Sequence, residues 1–311
     1  MAEAQTTGIP TRPLGKTGVD VSILCLGGAH IGLIQDEVES IKLMHAAIDE
    51  GITFFDNAWD YHGGRSEELM GKALETGGRR EKVFLMTKNC ERDYEGSMRN
   101  LEESLRRLKT DYLDLWQFHE VVYDNDPDWI FDKGGIAAAI EAREAGKVRF
   151  IGFTGHKDPR IHLKMLNKSF DWDTAQMPIN VMDAHFRSFQ NKVIPVCRER
   201  GMGVLGMKSL GGGRERGTIP TEAGIPAEKC IRYALSQPIS TLVVGMTSMA
   251  DLKQNLAIAR DFSPMSRAEQ QELLDEVKEV AGDGRYERFK TSKQFDGPHH
   301  RKQHGFPVDV V

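Results

Sequence analysis

The chain has 311 residues, 40% of them hydrophobic, which is enough apolar side chain for one large core or two smaller ones. Its net charge of -5 arises from 41 Lys and Arg mixed along the chain with 46 Asp and Glu. That balance excludes a general positive field for nucleic acid or an anionic membrane surface, and no apolar run approaches bilayer length. The polar, acidic opening of residues 1–7 does not read as a signal peptide. Cys25, Cys90, Cys197 and Cys230 are far apart and form no C-x-x-C pair. They read as small buried hydrophobes of a reduced cytoplasm, with neither an iron–sulfur nor a structural zinc pattern.

In chain order, residues 12–26 predict a hairpin turning at Gly15 to Gly18 and running into a first strand that ends at Leu26-Gly27-Gly28. Helical spacing of Ile41, Met44, Ala47 and Ile48 predicts a helix over 36–50. A β-branched and aromatic run, Ile52 to Phe55, predicts a strand that ends at Asp56, with Tyr61 in the loop beyond it. A helix over 64–74 stops at Gly77-Gly78, a strand spans 83–87, and Leu101, Leu105 and Leu108 mark a helix over 94–109. A strand over 112–118 leads into a loop over 120–129 and a helix ending near Gly146. Then come a strand over 148–153, a helix opening at Pro159, a strand over 175–177 and a helix over 189–200. The remaining pattern is a strand over 203–207, a glycine-rich loop over 211–217, a helix over 227–236, a strand over 241–244 and helices over 249–260 and 266–280. The tail, 282–311, is polar, aromatic and basic; its His299, His300 and His304 read as a solvated terminus rather than a metal site.

Eight strand–helix repeats of about 30 residues with no linker between them predict one domain over 1–311 with the (β/α)8 TIM-barrel fold, plus an extra C-terminal helix and tail. Neither a G-x-G-x-x-G fingerprint nor a P-loop is present. In such a barrel the strand ends converge, which would gather Asp56, Tyr61, Lys88 and His119. Taken singly, each has an ordinary structural explanation: a cap, a half-packed phenol, an ion pair, a structural histidine.

Those four residues, with Arg12-Pro13-Leu14-Gly15-Lys16-Thr17-Gly18 at the start and Gln117-Phe118-His119-Glu120, resemble the aldo-keto reductase superfamily over nearly the whole chain. The likeness is to a bacterial-type member without a C-terminal iron–sulfur segment. The resemblance implies an NAD(P)H-dependent oxidoreductase that reduces an aldehyde or ketone. It makes Tyr61 the general acid, with Lys88 lowering its pKa, Asp56 holding Lys88, and His119 orienting the substrate oxygen. By position, Thr154 and Gln176 would hold the nicotinamide carboxamide, with Gly155 where the family has Asn, so that the grip is thinner or His156 or Asn180 supplies the third contact. Met207 would pack on the nicotinamide, and Lys208, Leu210 and Gly212 would follow the pyrophosphate. Met246, Thr247, Ser248, Asp251 and Asn255 would form the adenine end. NADP(H) is the family's favoured cofactor, whereas Asp251, in place of a common Arg, suits the free ribose hydroxyl of NAD(H). No metal is implied. His30, Trp59, Asp60, Tyr123 and Trp129 would line the substrate pocket, which favours a small hydroxylated carbonyl such as a sugar. Two other readings share the fold: a nucleotide-binding regulatory partner of a channel with little turnover, and redox-neutral sugar epimerisation on a bound nicotinamide. The expected partner is a small molecule, not nucleic acid or membrane, and the choice between monomer and homo-oligomer stays open.

Overall fold

The computed structural model describes residues 8–213 and 217–309; the start of the chain and part of the glycine-rich loop over 211–217 lie outside them. Eight parallel strands close into a barrel: β3 (Leu24–Gly27), β4 (Phe54–Asp56), β5 (Phe84–Asn89), β6 (Leu113–Phe118), β7 (Val148–Thr154), β8 (Thr174–Pro178), β9 (Gly203–Met207) and β10 (Thr241–Val244). The first and last strands pair in register, Cys25 with Val243 and Leu26 with Val244, so the sheet has no free edge. Almost every strand residue is buried, as a parallel sheet covered outside by helices requires. The expected fold is therefore the observed one.

Ahead of the barrel, β1 (Thr11–Pro13) and β2 (Asp20–Ser22) form an antiparallel hairpin across its N-terminal end. Leu14 drops from it onto Cys25, Phe54, Phe84, Leu115 and Leu205 inside the barrel. A Cβ on Gly203 would stand 2.7 Å from the Leu14 side chain, so this plug requires a glycine there. Arg12 fastens the hairpin by donating to the carbonyls of Leu235 and Ile239 at 2.8 and 2.9 Å.

Three local readings are corrected. The single strand from Val19 to Leu26 is broken at Ile23, where the chain leaves the hairpin to enter the barrel. The helix over 189–200 is two short turns, Phe189–Lys192 and Ile194–Glu199, meeting at Val193 ahead of Pro195, which cannot donate its own amide. The last four residues of the loop over 120–129 belong to a helix, Asp126–Asp132, opened by Pro127.

The largest correction concerns the tail. It folds back over the C-terminal mouth of the barrel through the turns Arg288–Thr291 and Pro298–Gln303, and it buries Glu287, Phe289, Lys290, Asp296, His300 and Arg301. Hydropathy reads most of these as exposed. Glu287, Lys290 and Asp296 are buried because each finds a partner outside the tail, Asn180, Asp183 and Tyr123 respectively. Lys290 Nζ donates to Asp183 at 2.7 Å, Glu287 at 2.8 Å and the Phe186 carbonyl at 2.8 Å. Asp296 accepts from Tyr123 at 2.8 Å and pairs with Lys157 at 2.7 Å. Among the described residues no helix is long and apolar enough to cross a membrane.

Candidate active site

Strand register places the chemistry. Pairing Gly27 with Asp56, Asp56 with Met86 and Lys88 with Gln117 lifts Asp56 and Lys88 to the same end of adjacent strands. Lys88 is 1% exposed, so its ammonium needs internal partners. It finds them in a close contact with Asp56 Oδ1, the Asn57 carbonyl at 2.6 Å and the Tyr61 hydroxyl at 3.3 Å. Tyr61 opens the turn Tyr61–Gly64 directly after the loop, is half-buried, and meets the His119 ring edge-on at 5.4 Å. The four residues singled out at strand ends thus share one site.

The electrostatics differ from expectation in one respect. Desolvation raises the Tyr61 phenol well above its usual value, and Asp56, Asp60 and Glu120 raise it further. Lys88 alone does not overcome three carboxylates, so the resting phenol holds its proton. Asp56 is itself raised by burial, against the pull of Lys88.

His119 is held from several sides. Its Nδ1 approaches Asp60 Oδ1 at 3.0 Å and Cys90 Sγ at 3.6 Å, and its carbonyl accepts from Arg92 at 2.8 Å. Burial opposes ionisation of Asp60, but His119 and His300 outweigh it and hold the carboxyl below its ordinary range. Asp60, expected as a substrate handle, therefore faces His119 first. Burial lifts Glu120 to about 7, against His119 and with Asp60.

The other proposed substrate residues are covered by the tail. Trp59 donates its indole N–H to Glu103 at 2.7 Å and meets the His299 ring at 5.2 Å. Trp129 stacks on His304 at 4.7 Å, and Tyr123 packs between His304 and Phe306. His30 lies apart from them, against Gly245, where a Cβ would come within 2.3 Å of its ring. It lines a cleft of about 370 Å³ with Ala29, Leu33, His62 and Gly213.

On the cofactor side, Thr154 and Gln176 are neighbours across β7 and β8, both almost fully buried. Gln176 Oε1 has no hydrogen-bond partner among the described residues, an orphan that fits a carboxamide N–H. Of the two substitutes for the missing Asn, Asn180 is committed to Glu287 at 2.8 Å and to the Met182 and Asp183 amides. His156 keeps Nε2 without a hydrogen bond, while its Nδ1 lies 3.2 Å from the Phe289 carbonyl. Met207 ends β9, and Lys208 follows at a φ of 55°, its Nζ 5.5 Å from the Phe289 ring. Gly212 lies beneath Phe289 and Phe295, and the Leu210 carbonyl accepts from Ile219 at 3.1 Å.

At the far end, Ser248 caps the helix Met249–Arg260 by accepting from the Asp251 amide. Asp251 in turn accepts from the Thr247 amide at 2.8 Å and hydroxyl at 3.0 Å. Met246 and Asn255 are buried close by in sequence, whereas Thr247 and Ser248 are exposed. Residues not singled out from sequence include Cys90, Glu120, Phe289 and His300. The only signal for Glu120 was its place after His119, His300 carried only its place in the histidine-containing tail that reads as solvated, and Cys90 and Phe289 carry none without the fold.

Comparison with known proteins bears on the family and the fold. Residues 23–225 match the aldo/keto reductase family. An uncharacterized oxidoreductase, YrpG, of Bacillus subtilis is 34% identical over 64% of this chain and 66% of its own length, just short of two thirds. L-galactose dehydrogenase of Arabidopsis thaliana is 25% identical over 88% of this chain and 95% of its own. Among solved structures, a putative aldo-keto reductase from Pseudomonas aeruginosa superimposes with a TM-score of 0.69 at 26% identity, covering 82% of this chain and 96% of that one. The holo form of aldo-keto reductase AKR11C1 from Bacillus halodurans gives 0.72 at 23% identity over 86% and 96%, a likeness of fold alone. The chain belongs to the aldo/keto reductase family.

Proposed function

We propose that the protein is an NAD(P)H-dependent reductase of a small aldehyde or ketone, with Tyr61 as proton donor. The observation that carries this reading is the Tyr61 hydroxyl 3.3 Å from a buried ammonium, Lys88, that is anchored on Asp56. Reduction of a carbonyl builds negative charge on its oxygen, and a fixed donor beside a cation in a dry site stabilises that charge. Tyr61 gives its proton to the oxygen as it becomes basic. Lys88 is then the counter-ion of the phenolate, an interaction stronger in the transition state than before it. His119, restrained by Asp60 and Arg92, directs the carbonyl toward the phenol. A nicotinamide cofactor, when bound, supplies the hydride.

Thr154, Gln176 and His156 are the residues that would hold the carboxamide, with Met207 against the ring. Lys208, Leu210 and Gly212 would meet the pyrophosphate, and Met246, Thr247, Ser248, Asp251 and Asn255 the adenosine. NADP(H) remains the preferred form by family habit. The Asp251 carboxylate is already satisfied by Thr247, which leaves its outer lone pairs for a ribose hydroxyl and accommodates NAD(H) too. Polar groups at the mouth, with a relative named L-galactose dehydrogenase, favour a hydroxylated substrate of sugar class. The test is a panel of sugar, aliphatic and aromatic carbonyls with NADPH and NADH, followed at the nicotinamide absorbance. Turnover with hydroxylated aldehydes supports the reading; tight cofactor binding without turnover of any carbonyl contradicts it.

A further inference from the structure

Four side chains from separate parts of the chain meet at the mouth of the barrel: Asp60, Cys90, His119 and His300. One oxygen, one sulfur and two ring nitrogens lie within 4.8 Å of one another, the only grouping of this kind among the described residues. Cys90, His119 and His300 are buried, and Asp60 is nearly so. The polar atoms are poorly paired for such a place. Both ring nitrogens of His300 have no hydrogen-bond partner among the described residues, and His300 Nε2 comes no nearer to Glu120 than 3.9 Å, while Asp60 Oδ1 meets His119 Nδ1 at 3.0 Å. A buried imidazole with neither nitrogen bonded is costly unless something else fills the gap.

We infer that Asp60, Cys90, His119 and His300 form a tetrahedral site for a borderline transition-metal ion of the Zn(II) or Co(II) kind, which latches the C-terminal segment onto the barrel. The donor set of one thiolate, two imidazoles and one carboxylate is that of such ions and not of magnesium or calcium, which take oxygen. Bonds of about 2.0–2.3 Å to a common centre place tetrahedral ligands roughly 3.3–3.8 Å apart. The Cys90 to His119 separation of 3.6 Å already falls there, whereas the Asp60 to His119 separation of 3.0 Å is shorter than that range and must open as the ion enters. Binding releases the Cys90 proton to solvent, and thiolate and carboxylate together neutralise the two charges of the ion.

Three ligands come from loops at the strand ends, and His300 alone comes from the tail turn Pro298–Gln303. Filling the site therefore couples metal to closure. It also engages His119, so the metal opposes the carbonyl chemistry proposed above; that consequence rests on that reading, while the site itself does not. Equilibrium titration of the full chain with Co(II), read by thiolate-to-metal absorption in the near ultraviolet and by d–d bands, tests the site without any turnover. We expect one saturating Co(II) with a tetrahedral spectrum, loss of the thiolate band in Cys90→Ser, and at least about tenfold weaker binding in His300→Gln. Zn(II) should displace the cobalt, and it should inhibit any reductase activity less in His300→Gln than in the parent. Absence of a thiolate band, its survival in Cys90→Ser, or equal affinity in His300→Gln overturns the proposal. Both substitutions are near in size to the native side chain, and circular dichroism establishes that each variant is folded before titration.

Discussion

Two lysines are buried to the same degree at the top of this barrel, and they serve opposite ends. Lys88 has one carboxylate, one carbonyl and the Tyr61 hydroxyl as partners. Lys290 has two carboxylates, Asp183 and Glu287, and one carbonyl. Both ammonium groups use three donors, so neither is short of partners. The difference lies in the third partner. Around Lys290 every acceptor is fixed and enclosed, and the cluster ties the tail to the loop after β8. Around Lys88 the third acceptor is a half-buried phenol that can gain charge, which turns a structural ion pair into a proton-transfer device.

Breaking the enclosed cluster should have the largest effect on stability. Lys290→Met keeps the length of the side chain but leaves two buried carboxylates facing each other. We expect a loss of about 3–5 kcal/mol by denaturant unfolding or, if the tail unfolds by itself, a matching loss of hydrogen-exchange protection over residues 284–305. Stability equal to the parent would show that the tail is not held by this charge.

The same cluster gives a pH dependence of known sign. Burial lifts the Glu287 carboxyl to about 7, with Lys290 opposing and Asp183 reinforcing the shift. Its folded value is thus above its unfolded one, near 4.5, and between the two the folded chain binds the extra proton. This group's contribution to stability is therefore greatest at the acid end of that window and is lost as pH rises through about 7. Glu287→Gln, whose amide oxygen can still accept from Asn180, should flatten the profile of melting temperature between about pH 5 and 8. A slope unchanged in the variant would assign the dependence to another group.

Asp251→Arg is the mildest test, because the residue is exposed to solvent on one side and remote from Lys88. Loss of its bonds to Thr247 should cost about 1 kcal/mol of helix capping. A new guanidinium for a 2′-phosphate should shift the ratio of NADPH to NADH affinity by about tenfold toward NADPH. An unchanged ratio in paired fluorescence titrations would remove Asp251 from cofactor choice.

The contrast also explains what could be read from the sequence. The barrel strands announce themselves as short continuous apolar runs, and β9, β10 and the helix Met249–Arg260 fall where the pattern puts them. Asp56 and Lys88 were legible because each directly ends such a run. The tail was not, because its buried positions are Glu287, Lys290, Asp296 and His300, residue types that hydropathy assigns to solvent. Their partners, Asp183, Tyr123 and Lys157, stand more than a hundred residues away, and only the closed barrel brings them near. The acidity of Tyr61 was misjudged for a related reason: burial of the phenol, the largest cause of its raised pKa, and the approach of Glu120 act only once the chain folds.

The central claim is that the Tyr61 hydroxyl delivers the proton. Single-turnover reduction of the best carbonyl from the panel, with cofactor affinity measured in parallel by nicotinamide fluorescence, compares the parent with Tyr61→Phe. The account predicts a rate lower by about 10² or more at unchanged cofactor affinity and melting temperature. An equal rate in the two proteins would contradict it.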